Sequence, residues 1–308
     1  MRVLVTGASG FIGQAVLKEL NTRGFETFVV SRLARAAIGR EACRVLADPS
    51  DASQVRDLVE SLAPDVVLHL AGVSTAKSYM ELYQANVVFA ANLLDALLAT
   101  SRKPRIVLAG SAAEYGPVHE TLLPVREDCV CRPNTAYGAS KLAQTSHAGI
   151  AMARGLPVTV ARLFNPIGPG MPRSLALGSF AHQIAQMGPS GGILSTGNLD
   201  VVRDFMDVAA TAKALVDLSQ SDKALGEIVN VCTGEGLRLL DLTQRLIRIS
   251  GVEVTLRSDE ARRGNSDVNA FVGDPSKLRA LGFGLAALNV DEVLEQILSR
   301  ARASAGIS

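Results

Sequence analysis

Residues 2–13 read RVLVTGASGFIG, and this stretch decides the fold. The β-branched run RVLVT at 2–6 reads as a buried strand. Gly7, Gly10 and Gly13 follow at spacings of three, and Phe11, Ile12, Ala15, Val16, Leu17 and Leu20 then form the apolar face of a helix. Strand, glycine turn and helix in that order make a cradle for a pyrophosphate. Glycine lets the backbone turn sharply and approach the phosphates, and the helix start offers free amides with positive partial charge. A glycine-rich turn alone is a weak signal, since Gly7 could simply end a strand and Gly13 could serve close helix–sheet packing. Its place between a strand and a helix points to dinucleotide binding by Gly7, Ser9, Gly10, Phe11, Ile12 and Gly13.

Outward from this turn the same rhythm repeats. FETFVVS at 25–31, CRVLA at 43–47, DVVLHLAG at 65–72, PRIVLAG at 104–110 and LPVTVARLF at 156–164 read as buried parallel strands. Helical periods lie between them near 51–62, 79–100 and 137–154. The alternation predicts an α/β fold with right-handed crossovers, a doubly wound parallel sheet of the Rossmann type. The rhythm breaks after Phe164, where NPIGPGMPRS and MGPSGGILSTGN concentrate Gly and Pro. Helices near 175–187, 208–219, 239–250 and 290–303 and short strands near 193–196, 227–232, 252–257 and 268–272 then suggest a smaller, discontinuous α/β substrate-binding domain. The expected division is a nucleotide-binding domain at 1–165 with a returning segment at about 205–232, and a substrate-binding domain at 166–204 and 233–308.

Composition excludes several classes. A chain of 308 residues has room for about two domains, and 48% hydrophobic against 20% charged residues gives enough apolar surface for a packed core. Lys plus Arg total 31 against 30 Asp plus Glu, a net charge of +1 with neither sign in a long run, so no nucleic-acid partner is expected. Cys43, Cys129, Cys131 and Cys232 have neither the spacing nor the histidines of a zinc site; the expectation is reduced thiols and no metal. Met1-Arg2 leads into a short apolar run and then glycines without an A-x-A cleavage pattern, and no 18 uninterrupted apolar residues occur. A cytoplasmic protein without a membrane partner is expected.

The second strand should end on an acidic residue, about 20 residues past the glycine turn, if the ribose 2′-hydroxyl of NAD is to be held. Ser31 and Arg32 stand there instead. With no carboxylate to repel a 2′-phosphate and a guanidinium to pair with it, NADP(H) is tolerated or preferred, with NAD(H) the other choice. The alternative is that Arg32 is a solvated surface side chain. Asp48, after the third strand, is placed either to contact adenine or to cap the helix near 51.

Tyr137 and Lys141 lie four apart in TAYGASKLA, on one face of a helix. A free phenol, with a pKa of about 10, is a poor proton exchanger at neutral pH, and a nearby ammonium favours its ionised form. Ser111 in LAGSAAEYG falls just beyond the fifth strand, at the carboxyl end of the sheet, where its hydroxyl could bond a reacting oxygen or merely cap the strand. His69, His119, His147 and His182 are scattered and receive no role; His69 reads as a packed core residue. Tyr115 and Phe164 read as packing or pocket-wall residues.

With the glycine turn, HLAG at 69–72, Ser111, Tyr137, Lys141 and ARLFNPIGPG at 161–170, the chain resembles the extended short-chain dehydrogenases/reductases, the NAD-dependent epimerase/dehydratase family, that act on nucleotide sugars. The resemblance covers nearly the whole chain. GNLDVVRDFMDV at 197–208, preceded by AHQIAQM, is most similar to the branch holding GDP-mannose 4,6-dehydratases and GDP-4-keto-6-deoxy-D-mannose reductases. It implies that Leu70, Ala71 and Gly72 join the cofactor contacts, with Tyr137 as general acid/base. Lys141 would bind the nicotinamide ribose and lower the tyrosine pKa, while Ser111 polarises the sugar oxygen. It places Asn165 and Arg203 against substrate, the arginine near the diphosphate, although Arg203 could instead pair with Asp204 or Asp207. Arg262 and Arg263 are weaker candidates for the same phosphates, because ARRGNSDV departs from the usual R-P-x-D.

Dehydratases of this branch carry a glutamate directly after the catalytic hydroxyl residue, and here Ala112 and Ala113 follow Ser111. Methyl groups move no protons, and Glu114, one residue further, points to the opposite face of an extended segment, so dehydration is not expected. The resemblance implies reduction of the C4 keto group of a nucleotide-linked 4-keto-6-deoxyhexose, with GDP-4-keto-6-deoxy-D-mannose favoured. A 4-epimerase holding NAD tightly is the alternative. A non-catalytic dinucleotide-binding protein is a third reading, against which the joint presence of Ser111, Tyr137 and Lys141 argues. The helices near 79–100 and 137–154 carry apolar faces such as VVFAANLLDALLA at 87–99; the resemblance implies a homodimer through them, unless they are spent against the sheet.

Overall fold

A computed structural model describes residues 1–31, 42–188, 190–259 and 268–306. The chain opens with β1 (Arg2–Thr6), the glycine turn and α1 (Phe11–Thr22). β2 (Glu26–Ser31), β3 (Ala42–Val45), α2 (Ala52–Leu62) and β4 (Val66–His69) follow. A continuous helical stretch then comprises α3 (Tyr79–Tyr83), a π-helical turn at Gln84–Val88 and α4 (Phe89–Ala99). β5 (Arg105–Ser111), α5 (Ala136–Ala153) and β6 (Val158–Leu163) complete the alternation. The second half contains β7 (Asn165–Ile167), α6 (Ala176–Ala185), β8 (Gly192–Thr196), β9 (Val202–Asp207), α7 (Val208–Gln220) and β10 (Ile228–Val231). It ends with β11 (Gly236–Arg238), α8 (Leu239–Ser250), β12 (Val254–Ser258), β13 (Ala270–Phe271), α9 (Ser276–Ala280) and α10 (Val290–Ser304).

Seven parallel strands form the main sheet in the order β10-β6-β5-β4-β1-β2-β3. Its inner strands read as apolar runs because both faces are covered, whereas β3, expected to be buried, is an edge strand and largely exposed. Val3 and Val5 of β1 pack with Val16, Leu17 and Leu20 of α1 and with Leu215 of α7. Leu4, between them, packs on the other side with Val59 of α2 and Leu93 of α4. The chain winds outward from β1 to β3, then crosses to β4 and winds the other way. The crevice at the carboxyl ends of β1 and β4 is therefore the point where an open sheet of this kind takes its ligand. The register there sets Thr6 beside His69.

A second sheet is built around β9, which pairs antiparallel with β11 and parallel with β13 and β7. A separate core of Leu177, Phe180, Leu194, Phe205, Leu246, Leu294 and Ile297 joins α6, α8 and α10 to these strands and to the β8–β12 pair. The sequence reading assigned no strand to 202–207. Arg203, Asp204 and Asp207 break the apolar period there, and the strand is held by pairing on both edges rather than by a hydrophobic run.

The stretch Tyr79–Ala99 has the length and the mean hydropathy, 1.3, of a membrane-crossing helix. Half of it is buried inside the fold, where α4 packs against α2 and α5.

Candidate functional site

The crevice at the head of the sheet is a cavity of about 550 Å³. Gly7, Gly10, Phe11, Ile12 and Gly13 line one end, with Leu70, Ala71 and Gly72 beside them. Gly7 has φ +73°, and a Cβ there would lie 2.6 Å from the Ala71 nitrogen. A Cβ on Gly13 would lie 2.2 Å from the Gly7 carbonyl oxygen, so the helix approaches the turn as closely as it does only because both residues are glycine. Gly10 stands at the N-cap of α1 and offers no side chain to cap it, which leaves the first amides of the helix available to an anion.

Other expected cofactor contacts lie further out. Ser9 is exposed and does not line the cavity, while Ser31 ends β2, half-buried, with Val45 as its strand partner. Asp48 is exposed and turns its carboxylate to Ser50, accepting from the backbone N–H at 2.8 Å and the hydroxyl at 2.6 Å. Asp51, not Asp48, caps α2. Arg32, Arg262 and Arg263 lie outside the described residues.

Ser111, Tyr137 and Lys141 all line this cavity, and Ser111 is hydrogen-bonded to Tyr137. Ser111 closes β5, and its hydroxyl oxygen accepts from the Ala113 N–H at 3.1 Å. Thr135 caps α5, accepting from the Gly138 N–H at 3.0 Å, and thereby sets Tyr137 in the first turn. Burial pushes the Tyr137 phenol above its ordinary pKa; a hydrogen bond from Ser111 opposes that rise and the charge of Glu114 adds to it. Lys141, only 5% exposed, is brought down to about 8 by burial, with Glu114 pulling the other way. Its ammonium donates to the Ala109 carbonyl and to Gln144 Oε1. The lowering of the phenol expected from the lysine is not what the structure shows: burial raises the phenol, and the group that lowers it is Ser111.

Glu114 does turn away from the cavity, but not on an extended segment as expected: β5 ends at Ser111, and Ala112–Glu114 form a 3₁₀ turn. Its Oε1 accepts from the Ser111 N–H at 2.8 Å, closing a capping box, and its Oε2 pairs with Arg162 Nε at 2.9 Å. Arg162 stacks 4.6 Å from the centre of the Tyr115 ring, and the Tyr115 hydroxyl donates to Asn230 Oδ1 at 2.7 Å. Tyr115 is fully buried behind the site, whereas Phe164 lines the cavity. Asn86, in the π-helical turn, accepts from the Val73 N–H at 2.8 Å and donates to the Val73 carbonyl and to Ser140 Oγ, each at 2.9 Å. It ties the loop after β4 to α5. A polar side chain inside the apolar run NVVFA was the one hint that Asn86 needs specific partners, but the sequence did not name them. His69 is a core residue, its Nδ1 2.8 Å from Thr6 Oγ1 and its ring edge-on to Phe89 at 5.1 Å.

At the far end of the cavity stand Phe164, Asn165, Pro166, Leu175, Arg203 and Phe271. Asn165 Nδ2 donates to the Asp204 carbonyl at 2.9 Å. The Arg203 guanidinium donates to the Val202 carbonyl at 2.8 Å and the Val268 carbonyl at 3.0 Å. Burial lowers its pKa, so its charge would gain from an anion in the cavity. The two carboxylates that the sequence offered as its partners, Asp204 and Asp207, make other contacts. Asp204 accepts from Thr233, Gly234 and Gly273, and Asp207 caps α7.

Residues 3–232 match the NAD dependent epimerase/dehydratase family. The chain is 32% identical, over 97% of its length and 96% of the relative, to GDP-6-deoxy-D-mannose reductase of Pseudomonas aeruginosa. It is also 32% identical, over 85% of its length and 83% of the relative, to dTDP-6-deoxy-L-talose 4-dehydrogenase (NAD(P)(+)) of Kitasatospora kifunensis. Among solved structures, RMD from Pseudomonas aeruginosa complexed with NADPH superposes with a TM-score of 0.84 at 30% identity, covering 98% of this chain and 99% of that one.

Proposed function

The chain belongs to the NAD dependent epimerase/dehydratase family, and on that premise we propose that it reduces the C4 keto group of a nucleotide-linked 4-keto-6-deoxyhexose, with GDP-4-keto-6-deoxy-D-mannose the favoured substrate and NADPH or NADH the reductant. One observation carries the reading: Ser111, Tyr137 and Lys141 line the same cavity as a glycine turn suited to a pyrophosphate and as Arg203.

The bare turn of Gly7, Gly10 and Gly13 and the uncapped start of α1 fit the cofactor's diphosphate, and Leu70, Ala71 and Gly72 flank it. Bound there, a reduced nicotinamide supplies the hydride. Ser31 at the end of β2 sets no carboxylate against a 2′-phosphate, which supports use of NADP(H). Lys141 holds the nicotinamide ribose.

Tyr137 acts as the acid. The phenol is protonated at neutral pH and can give its proton to the far more basic alkoxide developing at C4; burial weakens it as an acid, and the hydrogen bond from Ser111 opposes that. Ser111 donates a hydrogen bond to the same oxygen, stabilising the charge that grows there. Arg203 pairs with the substrate diphosphate, for which a guanidinium has the matching fork of donors, and Asn165 contacts the sugar. Ala112 and Ala113, both on the cavity wall, offer no proton carrier at the place where a dehydratase needs one.

The division into a nucleotide-binding part (1–165 with about 205–232) and a substrate-binding part (166–204 and 233–308) belongs to the same proposal, as does a homodimer. Tyr79, Met80 and Tyr83 on α3 and Ile150 on α5 are exposed apolar side chains on the helices that such a dimer would pair. Light scattering should then give twice the monomer mass. The reaction is tested by mixing the protein with GDP-4-keto-6-deoxy-D-mannose and NADPH or NADH and following the cofactor's absorbance. Loss of reduced cofactor in step with product supports the reading. No loss, with 4-epimers interconverting on tightly bound NAD, replaces it by an epimerase.

A further inference from the structure

Lysine has three N–H donors and no acceptor. In Lys141 two are taken, one by the Ala109 carbonyl of β5 and one by Gln144 Oε1, a single turn further along α5. One N–H remains for the cavity on whose wall Lys141 stands. Gln144 is fully buried, and its Nε2 has no hydrogen-bond partner. Only the amide oxygen can accept from an ammonium, so the lysine dictates which way this amide faces. A buried amide donor without a partner is unfavourable, and the contact to Lys141 is what the side chain gains in exchange.

We propose that Gln144 is a positioning residue for Lys141: with the Ala109 carbonyl it fixes two legs of the ammonium and leaves the third N–H for the bound cofactor. The functional meaning rests on the hydride-transfer reading above; the contact itself does not.

The charged surroundings of Lys141 are few. From β4 comes His69, kept neutral by burial, and from the turn after β5 comes Glu114, committed to Arg162 of β6. Arg105 at the start of β5 pairs with Asp222, and Asp95 of α4 pairs with Arg154 at the far end of α5. On α3, Glu81 accepts from the Lys77 N–H, and Tyr79 and Tyr83 are exposed. On α5 itself Tyr137 lines the same cavity and His147 is exposed. Gln144 is therefore the neutral neighbour whose replacement can move Lys141 in either direction. Gln144→Met removes an acceptor at nearly constant volume and disfavours the ammonium, whereas Gln144→Glu supplies a counter-charge and favours it.

The test is the NMR titration of the Lys141 side chain in the full-length protein without substrate, its resonance identified by its loss in Lys141→Met. Lys141 should titrate near 8 in the wild type, lower by about one pH unit in Gln144→Met and higher by about one or more in Gln144→Glu. The alkaline limb of the rate profile should follow in the same two directions. A purely structural role would shift neither, or would shift both variants the same way, and either result overturns the proposal. Should Gln144→Met fail to fold, Gln144→Asn, which keeps the amide but shortens its reach, takes its place and should also lower the titration. If the wild type consumes no reduced cofactor, the hydride-transfer reading falls while the titration still decides whether Gln144 positions the lysine.

Discussion

Tyr137→Phe removes the proton but keeps the ring and its packing. Turnover should fall by about 10²–10⁴-fold, the usual worth of a positioned acid, while cofactor affinity measured by fluorescence titration stays within about twofold. Arg162→Met should act differently. It strands Glu114, which is fully buried, without its partner, and the expected cost is about 3–5 kcal/mol of stability, read as a lowered denaturant midpoint. The contrast between these two sites follows the line between what was legible and what was not. That Ser111, Tyr137 and Lys141 would line one cavity could be read because their residue types and spacing point to a shared chemistry. Glu114 with Arg162, and Asn86 with Ser140, could not, because each pair is 48 or 54 residues apart and only the fold brings it together. Gln144 lay beside the motif, but nothing in a lone glutamine distinguishes a solvated side chain from one turned onto a buried lysine.

The strand–turn–helix at the head of the chain is the element on which the site depends. Gly13→Ala sets a Cβ against the Gly7 carbonyl oxygen at 2.2 Å, so α1 must move off the turn. Cofactor binding should be lost in calorimetry even where the protein stays soluble. β4 carries a second test. Burial, with a smaller contribution from Lys141, brings His69 to about 3 from its ordinary 6.5. Between those values the unfolded chain binds a proton that the folded chain refuses. The contribution to stability is therefore complete above pH 6.5 and is lost progressively as the pH falls toward 3. Melting temperature should decline through that window, and His69→Gln should flatten the decline; an unchanged acid limb would show that other groups govern it. The inner Rossmann strands were legible as elements because burial on both faces writes them as continuous apolar runs, as in VVLH of β4. β9, reading VRDFMD, was not, since Asp204 is buried by hydrogen bonds to Thr233, Gly234 and Gly273 rather than by hydrophobicity.

Across the whole molecule, the doubly wound sheet brings the glycine turn, Ser111, Tyr137 and Lys141 to one crevice, and the sheet around β9 adds Arg203 to its lining. The central claim is that a hydride crosses this cavity from the nicotinamide end to the sugar end and stays there. Its most direct test is a turnover with NADPH deuterated at the transferred position of the nicotinamide, followed by mass spectrometry and NMR of the nucleotide sugar. The account predicts one deuterium per product molecule, located at C4, with an equal amount of oxidised cofactor released and incorporation by Tyr137→Phe slowed by the same factor of about 10²–10⁴. Product formed without deuterium at C4, or an altered C4 configuration with the reduced cofactor unconsumed, would contradict it.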